Sequence, residues 1–307
     1  MSQRRRQKRG NPVHGWVALD KPVGMTSTQA VSLVKRLFQA QKAGHSGTLD
    51  PLASGVLPIA LGEATKTVPY VMEAEKAYRF TVRWGVETTT DDTEGTPVQT
   101  SQERPTRAAI EALLGRYTGT IMQVPPAFSA IKVDGERAYD LARDGETVDL
   151  PAREVTIERL VLEDLPDTDS AVFVAECGKG TYVRALARDF GRDLGCFGHV
   201  TDLRRTRVGR FADGALATPD DLRAAAEDGS IAGYLLACDT ALDALAEIAV
   251  HPGDAGRIRR GMAILLRGAG VPVLSEEPVY ATAAGELVAI GVIEQGRFQP
   301  KRIFNLA

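Results

Sequence analysis

The order of apolar and polar positions along the chain predicts most of its elements. "HGWVALDKP" reads as a strand ending at Lys21-Pro22. In "STQAVSLVKRLF" the residues Ala30, Leu33, Val34, Leu37 and Phe38 fall at i, i+3, i+4, i+7 and i+8, one apolar face of a helix capped by Thr26 or Ser27. The run "VLPIAL" (56–61) has the continuous apolar character of a short buried strand, and its Pro58 predicts an edge position or a bulge. In "AYRFTVRWG", Tyr78, Phe80, Val82 and Trp84 alternate as in a half-buried strand. Residues 106–115 read as a helix, and "VPPAFSAIKVDGERAYDLARDGE" as a proline turn, a short strand and a helix.

Two strands, near 152–162 and 171–177, precede "GKGTYVRALARDFGRDLG", a helix whose buried stripe is Val183, Leu186, Ala187, Phe190 and Leu194. Arg184, Arg188 and Arg192 recur every four residues on another face of it. "HVTDLRRTRVGRF" is a further strand with outward bases. From about residue 245 the texture changes to short strands, "VYATAA", "ELVAIGVIE" and "RFQPKRIF", behind a helical linker. Strands that alternate with helices but are often adjacent in sequence argue for an α+β or mixed α/β sheet. The expected organisation is a disordered basic arm over 1–10, a main domain over 11–240 and a small β-rich domain over 245–307.

A chain of 307 residues holds about two domains, and a composition 44% hydrophobic and 25% charged is that of an ordinary globular protein. No apolar run approaches the roughly 18 residues of a membrane span. The basic N-terminus has no apolar segment behind it, so it does not read as a secretory signal. Cys177, Cys196 and Cys238 are isolated, and the four histidines show no metal-ligand spacing. A reduced cytoplasmic setting without structural zinc is expected.

The net charge of −3 conceals a sorting of charge along the chain. Residues 86–103 carry five acids and no base, and read as a long loop, functional or mobile. Residues 179–210 carry eight Lys/Arg and three Asp, a balance of +5, and "MSQRRRQKRG" opens the chain with five bases. Such segregation suggests a basic face for nucleic acid, although basic runs are more often solvated helix faces.

One carboxylate stands apart. "HSGTLDPLASGVLP" sets Asp50 between glycines and an apolar run, with no positive charge close behind it. Asp-Pro pairs commonly start turns. Here Gly44, Gly47 and Gly55 let the backbone take unusual conformations or approach another molecule closely, which suits a site. A candidate partner is Arg184. It falls in the first turn of its helix, where the macrodipole disfavours a cation by about 0.3–1 kcal/mol. A docked carboxylate would offset that cost.

The segments "LDKPVGMTS" (19–27), "GHSGTLDPLASGVLP" (44–58), "GEATK" (62–66), "KAYRF" (76–80), "PPAFSAIKVDGERAYDLAR" (125–143), "GKGTYVRALARDFG" (178–191) and "HVTDLRRTRVGRF" (199–211) together resemble the TruB family of bacterial tRNA pseudouridine synthases. The resemblance is close over about 13–215. Beyond about 245 it extends more loosely to a PUA-type RNA-binding domain.

It implies a pseudouridine synthase fold, a mixed, mostly antiparallel sheet with flanking helices. The implied substrate is uridine 55 in the TΨC stem-loop of tRNA. It also implies a role for each matched residue. Asp50 matches the nucleophile, Tyr78 a tyrosine that stacks on the target base, and Arg184 the arginine paired with the Asp. His45, Tyr182 and Leu203 match positions that contact the flipped nucleotide or its neighbours. Lys21 and Lys132 match motif lysines, the latter in a segment that closes over RNA. No metal or other cofactor is implied, and a monomer without an obligate protein partner is expected.

Two rival readings are a non-catalytic RNA-binding module and a retaining glycoside hydrolase. The first has no need of Asp50, Tyr78 and Arg184 together. The second needs a paired carboxylate, for which Glu63 is the nearby candidate.

Overall fold

The computed structural model describes residues 10–129, 131–133, 136–139, 149–266 and 273–306. The basic arm through Arg9, and most of the helix expected after Ala138, lie outside the described residues. The elements begin with β1 (Gly15–Lys21), α1 (Ser27–Leu37), β2 (Ala43–His45), β3 (Ser54–Leu61), α2 (Val68–Glu73) and β4 (Lys76–Trp84). The hairpin of β5 (Val86–Thr88) and β6 (Pro97–Thr100) follows, then α3 (Arg107–Leu114), β7 (Gly119–Gln123) and the small pair β8 (Lys132–Val133) and β9 (Glu136–Arg137). Next come β10 (Arg153–Asp167), β11 (Ser170–Cys177), α4 (Val183–Asp193), β12 (Gly198–Val208), β13 (Phe211–Ala212) and α5 (Pro219–Asp228). The C-terminal part comprises β14 (Ala246–Ala249), α6 (Pro252–Arg259), β15 (Ile264–Leu265), β16 (Val279–Ala283), β17 (Glu286–Glu294) and β18 (Arg297–Ile303).

A nine-stranded sheet runs β1-β3-β12-β4-β11-β10-β7, with β2 added beside β3 and β13 beside β12. Its pairings are antiparallel except β3–β12, which is parallel through Arg204↔Ser54 and Arg205↔Gly55. A separate five-stranded sheet, β14-β16-β17-β18-β15, forms the C-terminal β-rich domain.

Burial on both faces explains why β1 and β3 read as continuous apolar runs. Successive side chains in a strand point to opposite faces. Val17, Leu19, Leu57, Ile59 and Leu61 therefore join the main core, where α1 and α4 pack and Phe173 meets Phe190 at 5.4 Å. Trp16, Ala18, Val56 and Ala60 face the other way, into a second core completed by Leu287, Ile290 and Phe304 of the C-terminal domain. That domain is held further where Lys66 Nζ donates to the Ile303 carbonyl (2.6 Å) and the Asn305 amide to Glu63 Oε2 (2.9 Å).

Two expectations change. Pro58 lies in an interior strand, paired to Ala18 on one side. On the other side its carbonyl accepts from the Ser46 amide (3.2 Å) and the Ser46 hydroxyl (3.5 Å), in the gap where β12 pairing has ended at Gly55 and β2 pairing begins at Ile59. A proline there removes no ladder hydrogen bond. The acidic tract is also not a structureless loop, because β5 and β6 pair across it.

Candidate active site

Asp50 sits on the turn between β2 and β3, and that turn is held from several sides. Ser27, freed by the capping box that Thr26 and Gln29 form on α1, accepts from the Leu49 amide (2.9 Å) and donates to the Leu49 carbonyl (3.0 Å). Arg205 donates from Nε to the Val56 carbonyl (2.8 Å), and its Nη atoms reach the carbonyls of Thr48 and Gly47, both at 3.3 Å. The Gly24 amide donates to the Pro51 carbonyl (2.7 Å), and Ala53 closes the turn onto the Asp50 carbonyl (3.1 Å). Gly55 must be glycine: its φ is +102°, and a Cβ would lie 2.2 Å from the Arg205 carbonyl.

The carboxylate so positioned is about one-third exposed and meets a buried guanidinium. Arg184 donates from Nε to Asp50 Oδ2 (2.9 Å), from Nη1 to the Thr90 carbonyl (2.8 Å) and from Nη2 to the Phe128 carbonyl (2.9 Å). Its Nη1 is also 3.4 Å from Asp92 Oδ2, a side chain only 3% exposed. Two carboxylates thus offset the cost of a cation in the first turn of α4. Asp92 is itself fixed by the Thr90 hydroxyl and by the Glu94 amide (2.9 Å).

The other arginines of α4 continue the pattern. Arg188 Nη1 meets Asp91 (3.2 Å), and Arg192 grips Glu87 with two bonds of 2.8 and 2.6 Å. The four-residue spacing of bases and the acidic tract are two halves of one ladder that clamps the β5–β6 hairpin to α4. Burial pushes the Asp91 carboxyl up to about 6, against the pull of Arg188.

Tyr78 lies on β4 opposite Arg205. Burial raises its phenol pKa, the Arg205 guanidinium opposes the rise, and the Asp50 charge adds to it. Tyr182 caps α4, with its backbone amide and carbonyl both bonded to the Gln123 side chain (2.9 and 3.1 Å). Burial, with Asp50 nearby, raises its phenol too. His45 Nδ1 accepts from the Gly47 amide (3.2 Å); burial and then Arg205 lower its pKa, which keeps the ring neutral at neutral pH.

Three other expected site residues differ in placement. Lys21 is fully buried under the Asp50 turn, with Nζ on the carbonyls of Pro22 (2.9 Å), Met25 (2.8 Å) and Pro51 (3.5 Å). Desolvation lowers its pKa to about 8. It supports the turn from below and does not face solvent. Leu203 is buried in the main core. Lys132 opens β8, paired with Arg137, and its side chain lies outside what the structure describes.

The expected basic face of 179–210 is not present. Arg184, Arg188 and Arg192 are paired as above, Arg204 with Asp20 and Asp213, Arg207 with Glu176, and Lys179 with Glu73. Arg205 points inward, 2% exposed. Of the eight, Arg210 alone is exposed without an ion pair among the described residues.

A model of the N-terminal domain of TruB family pseudouridylate synthases matches residues 35–183, and one of the tRNA pseudouridylate synthase B C-terminal domain matches 184–243. The chain is 59% identical over 315 residues to the tRNA pseudouridine synthase B of Bradyrhizobium diazoefficiens, covering 99% of this chain and 91% of that protein. The chain belongs to the TruB family. A second TruB relative, from Brucella ovis, is 56% identical, covering 98% of this chain and 99% of its own.

Among solved structures, a chain of a Cbf5-Nop10-Gar1 complex aligns with TM-score 0.72 and 25% identity, covering 95% of this chain and 84% of that one. An H/ACA RNP bound to a substrate RNA containing 2'-deoxyuridine shares the fold at TM-score 0.73 and 22% identity, covering 98% and 92%. The TruB pseudouridine synthase fold with its C-terminal β-rich domain is thus the architecture of this chain.

Sequence reasoning about this TruB chain missed Ser27, Asp92, Gln123 and Arg205. A signal for Arg205 existed, because adjacent residues on a strand face opposite ways and one of Arg204 and Arg205 had to point inward.

Proposed function

We propose that this protein isomerises uridine 55 in the TΨC loop of tRNA to pseudouridine, with Asp50 as the nucleophile acting on a base flipped out of its stack. What carries this reading is one partly exposed carboxylate bonded at 2.9 Å to a buried guanidinium, on a turn braced by Ser27, Arg205 and Lys21. Isomerisation breaks the C–N glycosidic bond, turns the uracil and forms a C–C bond to the same sugar carbon. The ring carbon loses a proton and the freed nitrogen gains one, so no electron or atom is supplied from outside.

Such a reaction needs one nucleophilic carboxylate and a retained base, whereas glycoside hydrolysis needs two reachable carboxylates and an admitted water. Glu63 does not serve as the second, since it is bonded to Lys66 and the Asn305 amide. Asp92, the other carboxylate on Arg184, is too buried to meet a sugar.

In this reading Tyr78 stacks on the extruded uracil, which repays part of the few kcal/mol of unstacking. His45 and Tyr182 line the rim of the site. Leu203 packs beneath it, and Lys21 steadies the turn. Lys132 belongs to a segment that closes over the RNA. Residues 11–240 form the catalytic domain and 245–307 a PUA-like RNA-binding domain, working as a monomer in the cytoplasm.

The test is an unmodified tRNA transcript incubated with the protein and mapped for pseudouridine at single-nucleotide resolution. Conversion at uridine 55 by the wild type, and none by Asp50→Asn, is the expected result. Conversion at another position, or retained conversion by Asp50→Asn, overturns the assignment.

A further inference from the structure

Two buried cations beneath Asp50, Lys21 and Arg205, have no carboxylate of their own, and a single rung of the main sheet carries both. Lys21 on β1 faces Gly55 on β3, Gly55 faces Arg205 on β12, and Arg205 faces Tyr78 on β4. Residues in register point to the same side of a sheet. Here it is the side of the main core, because Leu19, Leu203 and Phe80, each two residues from a member of the rung, all belong to that core. The helix α4, which carries Arg184, packs on the same face.

Both cations reach the backbone on either side of the carboxylate. Arg205 donates to the carbonyls of Gly47 and Thr48, just before Asp50, and Lys21 to that of Pro51, just after it. Their other bonds also go to carbonyls, of Val56 from Arg205 and of Pro22 and Met25 from Lys21. Neither forms an ion pair among the described residues, although both are buried. Lys76, two residues before Tyr78 on β4, is of the same kind: buried, with Nζ on the carbonyls of Met72 and Ala74.

Carbonyl dipoles solvate a cation without cancelling its charge, and a buried cation that lacks a counter-ion is costly. The arginines of α4 all have carboxylates; Arg205 has none. Its field reaches the groups around it. Burial is the main cause of the shifted pKa values of Lys21, His45, Lys76 and Tyr78, and Arg205 pushes every one of them downward. Bracing the Asp50 turn explains the bonds to carbonyls, which a neutral donor could also make. It does not explain the charge.

The reaction read from this site creates the missing anion. When Asp50 attacks C1′ of the ribose, the electron pair of the C1′–N1 bond leaves with the ring. The carboxylate becomes a neutral ester, and the detached uracil carries the negative charge, shared among N1, O2 and O4. The ring then turns, a pair at C5 bonds to C1′, and the Asp50 carboxylate is released. C5 finally gives up its proton and N1 gains one. Negative charge thus moves from Asp50 to the ring and back over a fixed set of cations.

We propose that Arg205, with Lys21 beside it, stabilises the detached uracil anion electrostatically in addition to bracing the turn. The proposal rests on the reading of the protein as a uridine isomerase. Charges fixed in advance where charge develops need no reorganisation during the reaction, and they act strongly in a site closed to water. Tyr78, the neighbour of Arg205 on the rung, is the residue on which the base stacks in that reading, so the ring lies within reach of the guanidinium's field.

The experiment compares wild type with Arg205→Met, Arg205→Lys and Lys21→Met in single turnover at saturating protein, with thermal unfolding as a check of folding. The substrates are TΨC stem-loops with uridine, 2-thiouridine or 4-thiouridine at the target position, tritiated at C5, and the readout is release of that tritium. Sulfur in place of a ring oxygen spreads negative charge better, so a thio ring needs less help from the protein. Arg205→Met should convert uridine about 100-fold more slowly but lose only about tenfold on a thio ring. Lys21→Met should move the ratio of thio to uridine rates in the same direction. Arg205→Lys keeps the charge without the fork on three carbonyls, and should slow both rings while holding the wild-type ratio. A displaced turn or a partly folded preparation lowers both rates together and leaves the ratio unchanged. Equal losses on uridine and thio rings in Arg205→Met overturn the proposal, and so does a wild-type rate in that variant. If Arg205→Met does not fold, the ratio in Lys21→Met decides. The two readings fail separately: no tritium release from uridine by wild type refutes the enzymatic assignment and this proposal with it, whereas turnover with unchanged ratios refutes this proposal alone.

Discussion

Removing Arg184 should cost both stability and turnover, while removing the charge of Asp50 should cost turnover alone. The asymmetry follows from how the pair is embedded. Arg184 holds four acceptors, Asp50, Asp92 and the carbonyls of Thr90 and Phe128, and it is nearly fully buried. In Arg184→Met, Asp92 stays buried without that cation, and breaking a buried pair from one side costs about 3–5 kcal/mol. In Asp50→Asn the amide oxygen still accepts from Arg184 Nε, Asp92 still pairs with Arg184, and the altered group is one-third exposed. Its stability should stay within about 1 kcal/mol of wild type. Arg184→Lys should fall between, because one ammonium cannot reproduce a planar fork on several acceptors. Urea titrations give the stabilities, and single-turnover conversion of tRNA at saturating protein gives the chemical step free of binding. An Arg184→Met protein with a wild-type urea midpoint would refute the argument, as would an Asp50→Asn protein less stable than Arg184→Met.

The remaining predictions concern neighbouring groups. Tyr78→Leu should lower the single-turnover rate about 10- to 100-fold by removing a stacking ring, while Tyr78→Phe stays near wild type; equal losses would assign the role to the hydroxyl. Lys21 has a folded pKa lowered to about 8 from 10.5, so between those values the unfolded chain holds a proton that the folded protein has released. Its contribution to stability is therefore flat below pH 8 and rises with pH above it, and urea midpoints at pH 7 and 9.5 should show a smaller rise in Lys21→Met than in wild type. Phe304→Ala should destabilise by about 3–5 kcal/mol, because its ring is fully buried in the core shared with Trp16 and Val56. For the same reason, deletion of 245–307 should yield a less stable or aggregating protein, seen by thermal unfolding, and not a clean loss of RNA affinity.

Local pattern carried most of the elements. The α1 face, the alternation in β4, the α4 stripe and the C-terminal strands all follow from side-chain periodicity, which the backbone geometry of one element sets by itself. Asp50 and Arg184 were legible as a pair because the glycines around the one, and the helix position of the other, are odd without a partner. The motif set then assigned the family.

Partnership across the fold was not legible. A run of like charges in sequence says nothing about which opposite charges arrive from elsewhere, and the acidic tract and the α4 arginines lie about a hundred residues apart. Only the packing of β5–β6 on α4 decided that these charges cancel each other and do not form a face for RNA. In the same way, composition could not show that Arg205 donates inward to the Val56 carbonyl or that Lys21 reaches the Pro51 carbonyl, because these donors and carbonyls meet only after β1, β3 and β12 pair. Side-chain type and spacing determined the elements and the candidate chemistry of this chain. Which charges remain free, and what braces the Asp50 turn, depended on contacts between segments remote in sequence, and those exist only once the sheet has closed.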